Sequence, residues 1–452
     1  MKSKNLTYSG IILLHIAFGV ALYLNSKLSI PYGLGILSIS LLVLLKTQNA
    51  KNQVLYIAAY AVGSEVMIRM TGGYVAYEMG KYSIIIFMLM GIYFSGFSKN
   101  SFPYWIFLII LIPGILVATV TLNLDTNIIK AIAFNISGPI CLGVSAVYCY
   151  QRRITLKELD NVLLCILAPI ITTVTYMFLY TPSVKEVITS TQSNFQTSGG
   201  FGPNQVATVL GLGTFILFTR LIFHSKEKWV IISNLALLLM VAFRGLVTFS
   251  RGGMMCAGVM IILFFVVLFF VTKRSARVKL YWLIGISGFL FVIIWNYSIS
   301  QSNGLISNRY ANQDAKGREK SSLLTGREEI MGNEFGMFLE NPIIGVGVGK
   351  GKENRIEDLG ETVASHNEIT RMLAEHGSFG VLAMLILIIT PLALYVNNRQ
   401  NIYLLSFFTF WILTINHAAM RLAAPAFVYA LSLLHVYSIE EQKKLNKNLE
   451  EN

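Results

Sequence analysis

The chain alternates long apolar runs with short polar breaks. Apolar runs fall near 8–25, 31–46, 54–70, 82–98, 103–121, 128–150, 161–180, 205–222, 229–246, 253–272, 278–297, 377–396, 401–415 and 420–437. A helix needs roughly 20 such residues to cross the hydrocarbon core of a bilayer, so the pattern predicts about 14 spans. Runs 31–46 and 401–415 are short. The stretch 401–437 is too long for one crossing, and its polar break at Asn416-His417, followed by Arg421, predicts a hairpin. Two breaks are long. Segment 181–204 is rich in Ser, Thr, Gln and Gly, and segment 298–376 is larger still. The larger one carries Ile330, Met331, Phe335, Met337, Phe338, Ile343 and Ile344 at helix-like spacing, which predicts a folded helical loop. The expected layout is a membrane part at 1–297 with loop 181–204, a large loop at 298–376, and further spans with a polar tail at 377–452.

Composition narrows this to a polytopic membrane protein of all-α class. Of 452 residues, 54% are apolar and 13% charged, where soluble domains carry roughly 25% charged residues. A disordered chain, a disulfide scaffold and an ordinary soluble enzyme are excluded. The net charge of +13 suggests nucleic acid at first, but the membrane accounts for it. With the N-terminus inside, alternate breaks carry Lys46, Lys51, Lys99, Arg152, Arg153, Lys157, Arg220, Lys226, Lys228, Lys273, Arg274, Arg277, Lys279 and Arg399, and the tail adds Lys443, Lys444 and Lys447. That bias puts both termini in the cytoplasm, and no nucleic-acid partner is expected. Lys2 and Lys4 ahead of the first run resemble an uncleaved signal-anchor. Cys141, Cys149, Cys165 and Cys256 all lie in apolar runs without metal-ligand spacing and read as small core residues.

The informative charges sit on the other side. Arg69, Arg244, Arg251, Arg371 and Arg421 fall near outer span ends, and all are arginines. A charge within a span costs roughly 2.5–3.5 kcal/mol on insertion scales, so the set needs an offsetting partner. Guanidinium forks onto phosphate oxygens bidentately, and an arginine-lined hollow suits a lipid pyrophosphate. Each member has a plainer reading beside this one. Glu65 and Arg69 are four apart on one helix face and can pair. Arg244, Arg251 and Arg421 can snorkel to headgroups.

The large loop reads Thr325-Gly326-Arg327, then Asn341-Pro342-Ile343-Ile344-Gly345-Val346-Gly347-Val348-Gly349, then Ala364-Ser365-His366-Asn367-Glu368, then Glu375-His376-Gly377-Ser378-Phe379-Gly380. Ser365 and Glu368 fit a capping box at a helix start. His366 then takes the first helical position, where the helix dipole disfavours imidazolium and leaves the neutral ring a general base needs. The alternative is a capped helix start with a solvated imidazole. His376 reads as a packing or surface residue, and His417 is undecided. The glycines of 345–349 allow close backbone approach. No metal site or cofactor is expected.

These motifs resemble the O-antigen ligase/Wzy polymerase superfamily. Thr248-Phe249-Ser250-Arg251-Gly252-Gly253 resembles its Ser-Arg-Gly span start, and Gly202-Pro203-Asn204 its Pro-Asn motif. The resemblance is detailed over about 200–390 and general elsewhere. It implies a GT-C-like integral-membrane glycosyltransferase, multi-pass in the bacterial inner membrane, that takes a glycan from undecaprenyl pyrophosphate on the periplasmic side. His366 is then the base that activates an acceptor hydroxyl, Arg251 binds pyrophosphate, and Arg327 matches the Gly-Arg motif. Arg69, Arg244, Arg371 and Arg421 join as pyrophosphate ligands on the charge argument. The acceptor is lipid A core for a ligase, another lipid-linked repeat for a polymerase, or protein for an O-oligosaccharyltransferase, and the ligase is narrowly favoured. A transporter or flippase is the rival from another class. It predicts paired half-spans or repeated halves, and neither is visible.

Overall fold

The structure, a computed structural model, describes residues 2–320, 322, 327–359, 365–418, 420–437 and 441, with the side chains of 2–7 and 357–359 excepted. Thr325, Gly326, Ala364 and the tail lysines lie outside the described residues. In chain order the helices are α1 (Lys2–Leu24), α2 (Ser29–Thr47), α3 (Gln53–Met70), α4 (Met79–Ser95), α5 (Phe102–Ile110), α6 (Ile112–Thr121), α7 (Ile128–Cys149), α8 (Leu156–Tyr180), α9 (Val184–Val187), α10 (Pro203–Phe223), α11 (Lys228–Leu246), α12 (Arg251–Val271), α13 (Arg277–Gln301), α14 (Leu305–Tyr310), α15 (Arg327–Glu340), α16 (Lys350–Leu359), α17 (Glu368–His376), α18 (Ser378–Asn397), α19 (Leu404–Ile415) and α20 (Ala423–Leu431). Two short strands, β1 (Arg153–Ile154) and β2 (His435–Val436), pair in parallel. Among the described residues nine helices are long and apolar enough to cross a membrane, and Tyr8–Leu24, Met79–Ser95 and Leu404–Ile415 are shorter apolar helices. The chain is an all-α polytopic membrane protein.

The apolar runs become helices close to where the pattern predicts them, with two differences. The run at 103–121 is divided at Leu111, because Pro113 has no backbone N–H to continue the ladder. The run at 420–437 becomes only the nine-residue α20 before a turn and β2. At 1.5 Å per residue α20 is far shorter than the hydrocarbon core is thick. All nine of its residues are buried, so its apolar character comes from a core position. The hairpin read at Asn416-His417 is present. Asn416 Nδ2 donates to Ile412 O (2.7 Å) at the end of α19, and α19 packs on α20.

The chain forms two compact units. One comprises 1–47, 55–79 and 160–321; the other comprises 48–54, 80–159 and 322–452. The large loop is therefore not one body, since it changes unit after residue 321.

In the first unit α10 is the central helix, with 83% of its apolar window buried, against 6% for Arg274–Gln301, which carries α13. Its neighbours are α11 and α12. The α10–α12 crossing is close because a Cβ on Gly211 would sit 2.2 Å from Gly253 O. Small residues at a crossing let two backbones touch, and van der Waals packing holds membrane helices together.

In the second unit α7 packs against α5 and α20, and α17 is surrounded by α15, α16 and α18. The segments that the charge pattern places on one side, 153–154 and 435–436, are here hydrogen-bonded strands. Gln151 N donates to Leu433 O (2.8 Å), and His435 N to Arg152 O (3.0 Å).

Candidate functional site

The second unit brings together the loop residues singled out by the sequence. The glycine-rich run 345–349 threads along α17. Val346 N donates to Ala374 O (2.9 Å), Gly347 N to Glu375 O (3.2 Å) and Val348 N to Gly114 O (3.0 Å) on α6. Gly345 has φ +70°, and a Cβ there would meet the Glu375 carbonyl carbon at 2.5 Å. Its close approach is to protein backbone.

The helix after Ser365 starts later than the capping box proposed. Asn367 is the N-cap, and its Oδ1 accepts from Ile369 N (2.9 Å) and Thr370 N (3.4 Å). Ser365 Oγ is spent on a local turn, accepting from Asn367 N (3.3 Å) and donating to Asn367 O (3.0 Å). His366 thus precedes the cap and is not the first helical residue. The dipole argument loses its position, but a stronger cause replaces it. Burial comes first, followed by the charges of Arg421 and Arg327, the ring of His417 and the charge of Arg355; together they push the His366 imidazole down to about 3. The ring is neutral across the physiological range. Its Nδ1 is buried and has no hydrogen-bond partner among the described residues.

The surrounding cations are fixed by backbone and acid partners. Arg421 Nη2 donates to Ser365 O (2.7 Å), next to His366. Arg327 Nη1 lies 3.5 Å from His417 O. Arg355 Nη1 pairs with the buried Glu334 (2.9 Å), whose second oxygen accepts from Thr370 Oγ1 on the first turn of α17. A cavity of about 450 Å³ opens beside them, lined by Ser365, Arg355, Arg421, Arg371, Lys130 and Lys352 among others, within the range of small-molecule sites.

Arg371, expected as a phosphate ligand, has acidic partners within the protein. Its guanidinium is held by Glu368, by Glu375 Oε2 (2.7 Å) and by Asn135 O (3.1 Å). Two carboxylates therefore saturate it. Burial drives the Glu375 carboxyl up to about 7, against the pull of Arg371 and of the Gly349 N–H. His376 is buried against Gly114 with neither ring nitrogen bonded among the described residues, which is a packing role. Burial holds its ring at about 3.

The first unit holds Arg69, Arg244 and Arg251. Arg69 pairs with Glu65 (2.8 Å), the partner its spacing offered, lies 3.7 Å from Glu78, and donates to Gln205 Oε1 (3.2 Å). Arg244 is fully buried, lies 4.0 Å over the Phe178 ring, and donates to Thr181 O (2.7 Å) just past the end of α8. Arg251 opens α12, with Nη1 3.5 Å from Arg309 O.

The sequence reading missed Arg355, Arg309, Lys320 and Lys81. Lys81 is fully buried in α4, 3.4 Å from Met420 O. Arg355, Arg309 and Lys320 stand in polar stretches, where a cation attracts no notice. Lys81 stands immediately ahead of the run at 82–98, at its outer end, so the misplaced-charge argument could have found it. Among the described residues no group of three or more His, Cys, Asp and Glu side chains is arranged to hold a metal ion.

A search of curated proteins returns no match to this chain. Residues 235–385, about a third of the chain, match the Wzy_C family model, O-antigen ligase, which supports the superfamily resemblance read from the motifs.

Proposed function

We propose that the chain transfers a glycan from undecaprenyl pyrophosphate to an acceptor hydroxyl on the periplasmic face of the bacterial inner membrane, without a metal ion or other cofactor. The observation that carries this reading is a neutral imidazole, His366, set among the charges of Arg421, Arg327 and Arg355, of which Arg421 and Arg355 line a cavity together with the adjacent Ser365. Transfer to a hydroxyl needs a proton acceptor beside cations that stabilise a departing phosphate, and both are present in this one unit.

In the proposed reaction the imidazole of His366 takes the acceptor's hydroxyl proton. The freed oxygen attacks the anomeric carbon. The bond from that carbon to the pyrophosphate oxygen breaks, and undecaprenyl pyrophosphate leaves with the electron pair. Arg327 and Arg421 stabilise the growing negative charge. A single displacement inverts the anomeric centre. On the Ser-Arg-Gly motif alone, Arg251 of the first unit is proposed to bind phosphate.

The electrostatics add a gating element. With its ring pushed down to about 3 by burial and the neighbouring cations, His366 alone is a weak base, and base catalysis works best near the operating pH. A pyrophosphate beside Arg327 and Arg421 offsets the charges that add to the effect of burial and raises the ring's basicity. The base therefore strengthens when donor binds.

The test uses purified protein in proteoliposomes with lipid-linked glycan. His366→Ala is expected to insert and fold yet lose transfer by about 10²–10⁴-fold, the usual worth of a positioned base. Transfer at the wild-type rate in that variant removes His366 from the mechanism. The acceptor is read from the glycans of a deletion strain. Full polymer stranded on undecaprenyl indicates a ligase acting on lipid A core, the favoured outcome. Single capped repeats indicate a polymerase, and bare glycoproteins indicate transfer to protein.

A further inference from the structure

The cavity of the second unit has two walls that lie far apart in the sequence. One is the first two turns of α7, with Lys130, Ala131 and Asn135; the other is the segment that opens α16, with Gly349, Lys352 and Glu353. Glu353 ties the two together. Its carboxylate accepts from Asn123 N (3.1 Å), from Thr126 Oγ1 and from Lys350 Nζ (2.8 Å). The backbone closes the seam. A Cβ on Gly349 would stand 3.2 Å from Asn135 Nδ2 and 3.4 Å from Ala131 O. Lys130 precedes Ala131, and Lys352 N donates to Gly349 O (3.2 Å), so both lysines border this one seam.

The charges lining the cavity divide into committed and uncommitted groups. Its three carboxylates are all held by protein donors: Glu353 as above, Glu375 by Arg371 and Gly349 N (2.9 Å), and Glu368 by Arg371 and Met420 N (3.3 Å). Arg355 is paired with the buried Glu334 (2.9 Å). Lys130 and Lys352 differ. Both side chains are exposed, and neither ammonium group has a hydrogen-bond or ion-pair partner among the described residues. Two like charges on one rim repel each other, and an anion between them relieves that repulsion. An ammonium group is a compact charge with three donors, so two of them from separate elements suit a small anionic oxygen group. The same lining includes Ser365, the neighbour of His366. A substrate filling this cavity therefore meets the two lysines and the segment that carries the proposed base.

We propose that Lys130 and Lys352 select an acidic acceptor, a saccharide that carries a carboxylate or a phosphate close to the hydroxyl to be glycosylated. The inference rests on the proposed transfer to a hydroxyl at His366 and adds the chemical class of the acceptor. The lysines are specificity residues. They take no part in proton transfer, and the leaving pyrophosphate stays with Arg327 and Arg421.

The test is ligand-observed NMR titration of the full chain in phosphatidylcholine nanodiscs with three probes: methyl glucuronide, glucose 6-phosphate and the neutral methyl glucoside. The two acidic sugars are expected to bind more tightly than the neutral one, and added salt is expected to narrow the difference. Lys130→Gln with Lys352→Gln is expected to weaken the acidic probes about ten- to a hundredfold, the worth of a charged hydrogen bond, and to leave methyl glucoside unchanged. Lys130→Arg with Lys352→Arg is expected to restore most of the loss. Equal binding of acidic and neutral sugars by the wild type, or no binding of any probe, overturns the proposal. So does an equal loss of all three probes in the double Gln variant, which makes the lysines structural. Inorganic pyrophosphate is expected not to displace methyl glucuronide; displacement assigns the lysines to the donor and overturns the acceptor reading. Loss of glucuronide binding when phosphatidylglycerol enters the nanodisc makes the rim a headgroup site and overturns it too. The His366→Ala transfer assay judges the broader reading separately.

Discussion

Replacing Arg371 with methionine separates two roles for this arginine. In the structure its guanidinium is saturated by Glu368, Glu375 and Asn135 O. Removing it leaves two carboxylates buried together without their counter-ion. Among the described residues Glu375 then keeps the Gly349 N–H (2.9 Å) and Glu368 the Met420 N–H (3.3 Å). Breaking a buried pair by deleting one partner costs about 3–5 kcal/mol. At about 1.36 kcal/mol per decade, that is roughly two to four powers of ten in the folded-to-unfolded ratio. The triple variant Glu368→Gln, Arg371→Met, Glu375→Gln removes every charge at once, and neutral replacement of a buried ionic group is often tolerated. Denaturant titration of the detergent-solubilised protein is therefore expected to place Arg371→Met far below wild type and the triple variant close to it. Pyrophosphate binding in the triple variant is expected to survive. A triple variant that folds normally but no longer binds pyrophosphate refutes the reasoning and returns Arg371 to phosphate recognition. Wild-type stability in Arg371→Met refutes it from the other side.

Three more outcomes follow from particular contacts. The Glu375 carboxyl is raised from 4.5 to about 7 in the folded state, so its contribution favours folding below pH about 4.5 and is lost as pH rises towards about 7; Glu375→Gln is expected to remove that slope from a stability-against-pH series. Gly345→Ala places a Cβ against the Glu375 and Ala374 carbonyls at a positive φ and is expected to cost about 1–3 kcal/mol or more, measured by thermal aggregation. Glu334→Gln keeps an acceptor for Thr370 but leaves Arg355 without its counter-charge beside His366; transfer is expected to fall through kcat more than KM, and equal loss in both would reassign Glu334 to general stability.

Much of the architecture is legible from the apolar runs, because a bilayer forces long helices to be continuous and apolar. The exception at 420–437 is instructive. A helix enclosed by protein and one enclosed by lipid are equally apolar, so composition alone does not reveal that α20 is wholly buried. The start of α17 was misplaced for a local reason: Ser365 and Asn367 both make good caps, and the Ser365 hydroxyl is drawn into a turn that only the folded backbone displays. Arginine in an apolar run stands out; Arg355 in Lys-Gly-Lys-Glu-Asn-Arg reads as a solvated face, although it is 3% exposed. Glu65–Arg69 shows the converse, since the four-residue spacing already contained the partner that the structure supplies.

The parallel pairing of β1 with β2 bears on biogenesis. The amide and carbonyl groups around Arg152 and Ile154 emerge early from the ribosome, yet their partners, His435 N and Tyr437 N, are made near the end of translation. Until then those edge groups must be satisfied by water or by a chaperone. Closure of this unit is consequently a late, post-insertion event, and a nascent chain arrested ahead of Leu433 is expected to be open there to protease.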